Sequence, residues 1–440
     1  MSRHIGVLVS HPGKQGNVYQ RPRAAEQAGF STVFLTGLYY FPDRFPYSLV
    51  PYLWQPLRDH VQRELEKRRQ EGLSPANVVS LLGPVLETTL RPMGLIKRWG
   101  DIHDRLASRW LQLHAAELDS SIVHCFQGSA LRTLQAAGKA GATRILEVTL
   151  PPVPIEECPE LATEDAAFMR SEADAAARLR RGLEECDWAV AQSAFSVKSI
   201  TALGFPRERI LAVPLGVDTE LFKPRASRDQ RGPKFRALFV GTICRRKGIH
   251  HLLRAWEELN LKDAELTLVG NCGTPEARRL LAQCPPGVCA IGNLSFERLM
   301  ETYQSADILV HPSLAEGGCN AVHEALACGL PCVVTTHATS AVRDGREGYV
   351  VGVGSVDGLK ERVARLQASQ ALRAAMSRAA RQRAEELSWA AYVARLGAVY
   401  RDLARAKQAR PSDADIDAAF GETQDARTGT TASATLRETK

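Results

Sequence analysis

Glu316 and Glu324 bracket a pair of glycines, with seven residues between the carboxylates, in Pro312-Ser313-Leu314-Ala315-Glu316-Gly317-Gly318-Cys319-Asn320-Ala321-Val322-His323-Glu324. Gly317 and Gly318 have no side chain, so a ligand can approach their backbone. Apolar residues then recur at helical spacing over 321–327. The unpaired N–H groups of a helix start, together with its dipole, make the spot positive and suited to a diphosphate. Carboxylates on either side accept hydrogen bonds from hydroxyls. Phosphate in the centre with hydroxyls on both flanks is the polarity of a nucleotide sugar. Arg246 and Lys247, in Thr242-Ile243-Cys244-Arg245-Arg246-Lys247-Gly248, are cationic donors that could face the same charge. Taken singly, each stretch also reads as an ordinary turn, one with two surface carboxylates and one with solvated lysine and arginine.

The elements that would hold these groups are legible around them. Residues 308–310 form a short apolar run of buried-strand type, Gly329 and Pro331 stop the helix, and a β-branched strand restarts at 332–334. Lys247 follows an apolar strand at 235–240 and Gly241, and precedes a helix at 249–258. Strand–helix alternation also runs through the first half, with strands at 5–9, 32–36, 144–149 and 187–193, a further one within 121–128 that ends in a loop, and one that opens the stretch 210–224 before a Gly/Asp turn and a proline stop. The loop after the first strand, Ser10-His11-Pro12-Gly13-Lys14-Gln15-Gly16-Asn17, lacks the Gly-x-Gly-x-x-Gly spacing of a dinucleotide fold. Residues 45–118 read as mostly helical, with proline breaks. A basic, aromatic helical stretch from Lys97 to Trp110 suits either an anionic membrane surface or a surface helix with its tryptophans buried.

Composition narrows the class. A chain of 440 residues is long enough for two or three domains. The net charge of +7 agrees with anionic donors, and no basic stripe with interleaved aromatics points to nucleic acid. The ten cysteines form no Cys-x-x-Cys pair and no Cys/His set with zinc spacing, and most lie in apolar runs, as in a reducing cytoplasm. No run approaches membrane-spanning length, so the expectation is a cytoplasmic protein, soluble or peripheral to the inner face of a membrane.

The spacing of Glu316 and Glu324 within Pro-Ser-Leu-Ala-Glu-Gly-Gly resembles the donor-site motif of the retaining GT-B glycosyltransferases of family 4, the group 1 glycosyltransferases. Pro214-Leu215-Gly216-Val217-Asp218-Thr219-Glu220-Leu221-Phe222-Lys223-Pro224 is similar to the pattern that ends the N-terminal domain in that family. Lys247 before Gly248 resembles the family lysine that clamps the donor diphosphate. Two positions depart from the pattern. Thr242 stands where the family carries an arginine, which Arg245 or Arg246 would replace from the adjacent turn. At the end of the 144–149 strand, where many members carry a histidine, this chain has Glu147 and Thr149, so the acceptor-side base is unassigned. His124 is a candidate for polar contact there, or a satisfied structural histidine.

The resemblance implies an α/β chain of GT-B fold, with two Rossmann-like doubly wound domains facing a central cleft and a C-terminal helix crossing back to the first. The expected division is 1–224 for the acceptor-side domain plus a closing helix at about 389–406, 225–234 for the linker, and 235–388 for the donor domain. Composition predicts a disordered tail over 410–440. The implied reaction moves a hexosyl group from a UDP- or GDP-sugar to an acceptor hydroxyl with retention, the acceptor being a saccharide, a glycolipid or a small metabolite. Glu316 would orient sugar hydroxyls and favour an oxocarbenium-like centre. Lys247, Arg246 and the N–H groups near Gly317, Gly318, Cys319 and Asn320 would take the charge of the leaving diphosphate. Glu324 would hold the ribose, Leu294 would meet the base through backbone, and Gly13 or Gly16 is the loop glycine near the donor. No cofactor and no metal are expected, since no Asp-x-Asp motif stands at a strand end. Two other readings remain: a catalytically silent nucleotide-sugar-binding protein, and a nucleotide-sugar epimerase, whose His/Glu constellation is not evident.

Overall fold

The computed structural model describes residues 4–13, 16–42, 47–66, 73–81, 99–153, 166–225, 234–339 and 341–405. Lys97, Arg98, nearly all of the 225–234 stretch and the whole of 410–440 lie outside the described residues.

Two sheets, parallel throughout, organise the chain. The first runs β3-β2-β1-β4-β5-β6-β7, from β1 (Val7–His11), β2 (Thr32–Thr36), β3 (Val78–Ser80), β4 (Ile122–Phe126), β5 (Thr143–Val148), β6 (Trp188–Ala191) and β7 (Ile210–Ala212). The second runs β10-β9-β8-β11-β12-β13, from β8 (Phe235–Val240), β9 (Ala264–Val269), β10 (Val288–Gly292), β11 (Ile308–His311), β12 (Cys332–Thr335) and β13 (Gly348–Val351). Parallel strands are covered on both faces, which is why they read as unbroken apolar runs rather than alternations. Val7 and Val9 feed one core and Leu8 the opposite one; Ile308 and Val310 likewise oppose Leu309.

Strand order reverses between β1 and β4 in the first sheet and between β8 and β11 in the second. In doubly wound sheets, chains leaving the two strands at that point diverge and open a crevice beyond their carboxyl ends. Lys247 follows β8 and Glu316 follows β11, so topology alone sends both into the second sheet's crevice.

The final helix, Trp389–Arg405, returns to the first sheet. Tyr392, Val393, Leu396, Tyr400 and Leu403 are buried in the core that contains Val7 and Phe34. It lies against the Gln20–Gln27 helix so closely that a Cβ at Gly397 would stand 3.1 Å from the Ala24 carbonyl oxygen. Tyr400 Oη is 2.7 Å from His124 Nδ1, tying the helix to β4.

One detail differs from the sequence expectation for 45–118. Helices occur at Gln55–Glu66 and Trp99–Leu113, but β3 is a strand, paired with β2 through Phe34 and Val78. Three residues carry no period that could distinguish strand from helix. In the Trp99–Leu113 helix, Trp99 is buried and Trp110 stacks on His114 at 3.8 Å, so Trp99 presents no apolar ring to a membrane. Among the described residues, no helix is long and apolar enough to cross a membrane.

Candidate functional site

Lys247 is placed by a turn that only glycine permits. The Arg245–Lys247 turn ends at Gly248, with φ of 70°, where a Cβ would lie 2.0 Å from the Pro312 carbonyl oxygen. The backbone oxygen of Arg246 accepts from Leu314 N at 2.9 Å and from Ser313 Oγ at 3.2 Å. The basic turn is thus laced to the loop leaving β11, and Lys247 Nζ donates to Glu316 Oε1.

Glu316 is 5% exposed. Its Oε1 also lies 3.0 Å from Nε2 of His311, whose ring stacks on Phe239. Burial alone would push the Glu316 carboxyl up, but Lys247 and His311 together outweigh it and hold the group well below the usual carboxylate range. Burial likewise opposes the Lys247 ammonium, and Glu316 overcomes it, so the lysine titrates above its ordinary value. Burial pushes His311 down, which favours the neutral ring. His311, Glu316 and Cys319 offer ligand atoms within 4.8 Å of one another. Their chemistry fits a metal poorly: an ammonium already faces the shared carboxylate oxygen, and burial, helped by Glu316, raises the Cys319 thiol far above its ordinary value.

Beyond the Gly317-Gly318 turn, Glu324 lies one turn into the Asn320–Ala327 helix and faces a cavity of about 440 Å³. Asn320, Gly216, Asp218, Phe222 and Trp389 share that wall, and Asn17 and Gln20 line it from the first domain. Tyr303 Oη donates to Glu324 Oε2 at 2.8 Å, and burial pushes this carboxyl up. The two carboxylates therefore differ: Glu316 is a firmly held anion, Glu324 a partly desolvated acceptor. Gly16 opens the turn that presents Asn17 to this cavity, whereas the Gly13 N–H donates to His11 Nδ1 at 2.9 Å. Leu294 packs at the edge of the core containing Phe222 and Tyr303. A wider groove of about 710 Å³, lined by Lys139, Arg144, Glu185 and Asp187, sits at the opposite ends of β5 and β6, where Arg144 is already paired with Asp187 at 2.7 Å.

The glycine turn is also where the halves of the molecule meet. A Cβ on Gly317 would lie 2.1 Å from the Thr149 carbonyl oxygen, and one on Gly318 2.6 Å from Gln192 Oε1. Ser193 and Ser196 hydroxyls donate to the carbonyls of Glu316 and Gly317, each at 3.4 Å. Arg246 points away from Lys247 and across to the first domain, onto Glu172 and the Pro151 carbonyl. Glu147 is fully buried: it pairs with Arg21, accepts from Gln192 Nε2 at 2.5 Å and lies 3.0 Å from His124 Nε2. Burial opposes its charge, yet Arg21 and His124 hold it well below the ordinary range. Glu147 is a structural anion, and His124, bridging it to Tyr400, is part of the same network.

The solved structure of sucrose-phosphate synthase from Thermosynechococcus elongatus superposes with a TM-score of 0.64 at 19% identity, covering 91% of this chain and 99% of that one. HepE from Anabaena, solved in complex with UDP and glucose, superposes with a TM-score of 0.60 at 14% identity, covering 91% of this chain and 100% of that one. The fold is GT-B. Within this GT-B chain, residues 234–369 match the family described as Glycosyl transferases group 1. A GDP-mannose-dependent alpha-mannosyltransferase of Corynebacterium glutamicum is 32% identical over 155 residues, 34% of this chain and 36% of that protein. The chain spans from about a third to about three fifths of the length of the curated relatives it matches.

The GT-B cleft thus brings Lys247 to Glu316, and Glu324, Asn320 and the Gly16 turn to one cavity, while Arg246 joins the opposite domain. His311, Tyr303, Gln192 and Glu172 were not among the residues singled out from sequence. His311 carried a usable signal, as the last residue of a strand five positions before Glu316; the other three act across long sequence separations and leave none.

Proposed function

We propose that this protein is a glycosyltransferase that moves a hexosyl group from a UDP- or GDP-sugar to an acceptor hydroxyl, with retention and without a metal. The observation that carries this reading is the pairing of Lys247 with Glu316 at the crevice of the second sheet, one glycine turn from the cavity that Glu324 faces. As the sugar bond breaks, negative charge grows on the leaving diphosphate, and Lys247 and the helix-start N–H groups near Gly318 to Asn320 are donors for it. Glu316, held ionised, takes sugar hydroxyls and favours positive charge at the anomeric carbon. Glu324 accepts from ribose hydroxyls. Retention follows from same-face attack, the departing phosphate helping to take the acceptor proton; this agrees with Glu147 being consumed by Arg21 rather than available as a base. The Corynebacterium relative is named for its dependence on GDP-mannose, and the ligands of HepE point to a UDP-sugar. The division into 1–224 and 235–388, and a cytoplasmic setting, belong to the same reading.

A thermal-shift screen of UDP- and GDP-sugars, followed by an assay for donor hydrolysis without acceptor, tests it. One nucleotide class should stabilise the protein, and slow hydrolysis should vanish in Glu316→Ala. Stabilisation without hydrolysis would favour the silent binding protein, and an epimeric product the epimerase.

A further inference from the structure

Arg246 and Lys247 are neighbours in sequence but serve opposite partners. Arg246 Nη1 donates to both oxygens of Glu172, at 2.8 and 2.9 Å, and Nη2 to the Pro151 carbonyl at 2.5 Å. Glu172 lies in the Ala166–Glu184 helix of the first domain, and its Oε2 also accepts from Val153 N at 2.8 Å. The Arg246 and Glu172 side chains are only 13% and 11% exposed. Next to them Val153 and Phe195 of the first domain pack against Leu314 and Ala315 of the second, and Phe195 stacks on His337 at 4.1 Å. The guanidinium is therefore a charge-assisted fork across the domain boundary, sheltered by an apolar seam.

The same arginine's carbonyl holds Leu314 N and Ser313 Oγ. Its side chain is anchored to one domain and its backbone to the Glu316 loop of the other. We propose that Glu172 is a positioning residue from the opposite domain: through Arg246 it fixes the turn that carries Lys247 and keeps that turn closed on Glu316. It touches no donor atom itself. The consequence for donor binding rests on the glycosyltransferase reading; the mechanical coupling does not.

Hydrogen exchange on the full chain separates the two. Glu172→Gln keeps the shape and the Val153 acceptor but removes the charge, and Arg246→Gln removes the fork. Each should speed amide exchange in 244–248 and 313–316 about ten-fold, and the double variant should be no faster than the faster single, because both break one link. Calorimetry with GDP and UDP should show the nucleotide that binds weakened about three-fold or more by Glu172→Gln. Unchanged exchange in Glu172→Gln, or about a hundred-fold acceleration in the double variant, overturns the coupling. Faster exchange with unaltered nucleotide affinity overturns the positioning role. If the unaltered protein binds neither nucleotide, the donor reading fails while the exchange data still decide the coupling.

Discussion

Lys247 Nζ donates to Glu316 Oε1 across 69 positions of sequence, and the two residues arrive from the loops after β8 and β11, the strands at which the second sheet reverses its order. Each satisfies the other in a site where an unpaired charge would be costly. On the proposed glycosyltransferase reading, a donor entering this crevice would offer Lys247 a phosphate and Glu316 hydroxyls, so both would exchange one charged or polar partner for another rather than being stripped of one.

The pair sets a pH window for stability. Glu316 titrates below its ordinary value, so its contribution is fully present above about pH 4.3, the ordinary carboxylate range, declines below that, and is gone once pH passes the folded value. Lys247 titrates above its ordinary value, so its contribution is fully present below about pH 10.4 and is lost as pH rises through the folded value. The unfolding free energy of the unaltered protein minus that of Glu316→Gln should be flat between these limits and shrink below about pH 4. A difference that stays constant to pH 2 would contradict the pairing.

Gly317 and Gly318 should differ in their tolerance of alanine. The Cβ at Gly317 meets backbone, the Thr149 carbonyl, whereas the one at Gly318 meets the end of the Gln192 side chain. Gly317→Ala should cost about 1–3 kcal/mol as overpacking that only a domain shift relieves, with an increased radius of gyration in X-ray scattering. Gly318→Ala should cost less, since a side chain can turn aside. Equal melting temperatures for the two variants would show that the first domain does not press on this turn.

Glu324 should trade stability for binding. Burial raises its pKa, so ionising it at neutral pH opposes folding; the penalty appears as pH rises above the ordinary carboxylate value and is complete above the folded one. Glu324→Gln keeps an acceptor for Tyr303 and removes the charge. It should raise the melting temperature, by about 1 kcal/mol of stability, and weaken nucleoside diphosphate binding. A variant that is less stable and binds equally well would show that Glu324 is structural.

Arg21→Met should be among the most damaging substitutions in the first domain. Arg21 is 1% exposed and pairs with Glu147, which is wholly buried. Removing the guanidinium leaves that carboxylate without its cation, at a cost of about 3–5 kcal/mol. Arg21→Met combined with Glu147→Met should recover much of the loss in denaturant unfolding. No recovery in the double variant would mean that the two charges do not act as a pair.

The sheet architecture was readable because parallel strands are continuous apolar runs and their helices carry plain stops, as at Gly329 and Pro331. The Glu316–Gly317–Gly318–Glu324 spacing likewise marked a glycine turn set between two carboxylates. What stayed hidden depends on where side chains point. Arg246 and Lys247 look equivalent in sequence, yet one turn of backbone sends them to different domains. The two glycines admit close approach, as their type suggests, but here the approaching groups are the Thr149 backbone at Gly317 and the Gln192 side chain at Gly318. β3 is too short to show a period, and Glu147 reads as an open strand end because nothing local reveals Arg21, 126 positions earlier.

The most direct measurement is a calorimetric titration of GDP and UDP into the unaltered protein and into Lys247→Ala. One nucleotide should bind the unaltered protein, and the substitution should weaken that binding ten-fold or more, about 1.4 kcal/mol or greater. Binding of equal strength in both proteins, or no binding of either nucleotide, would contradict a donor site built on Lys247 and Glu316.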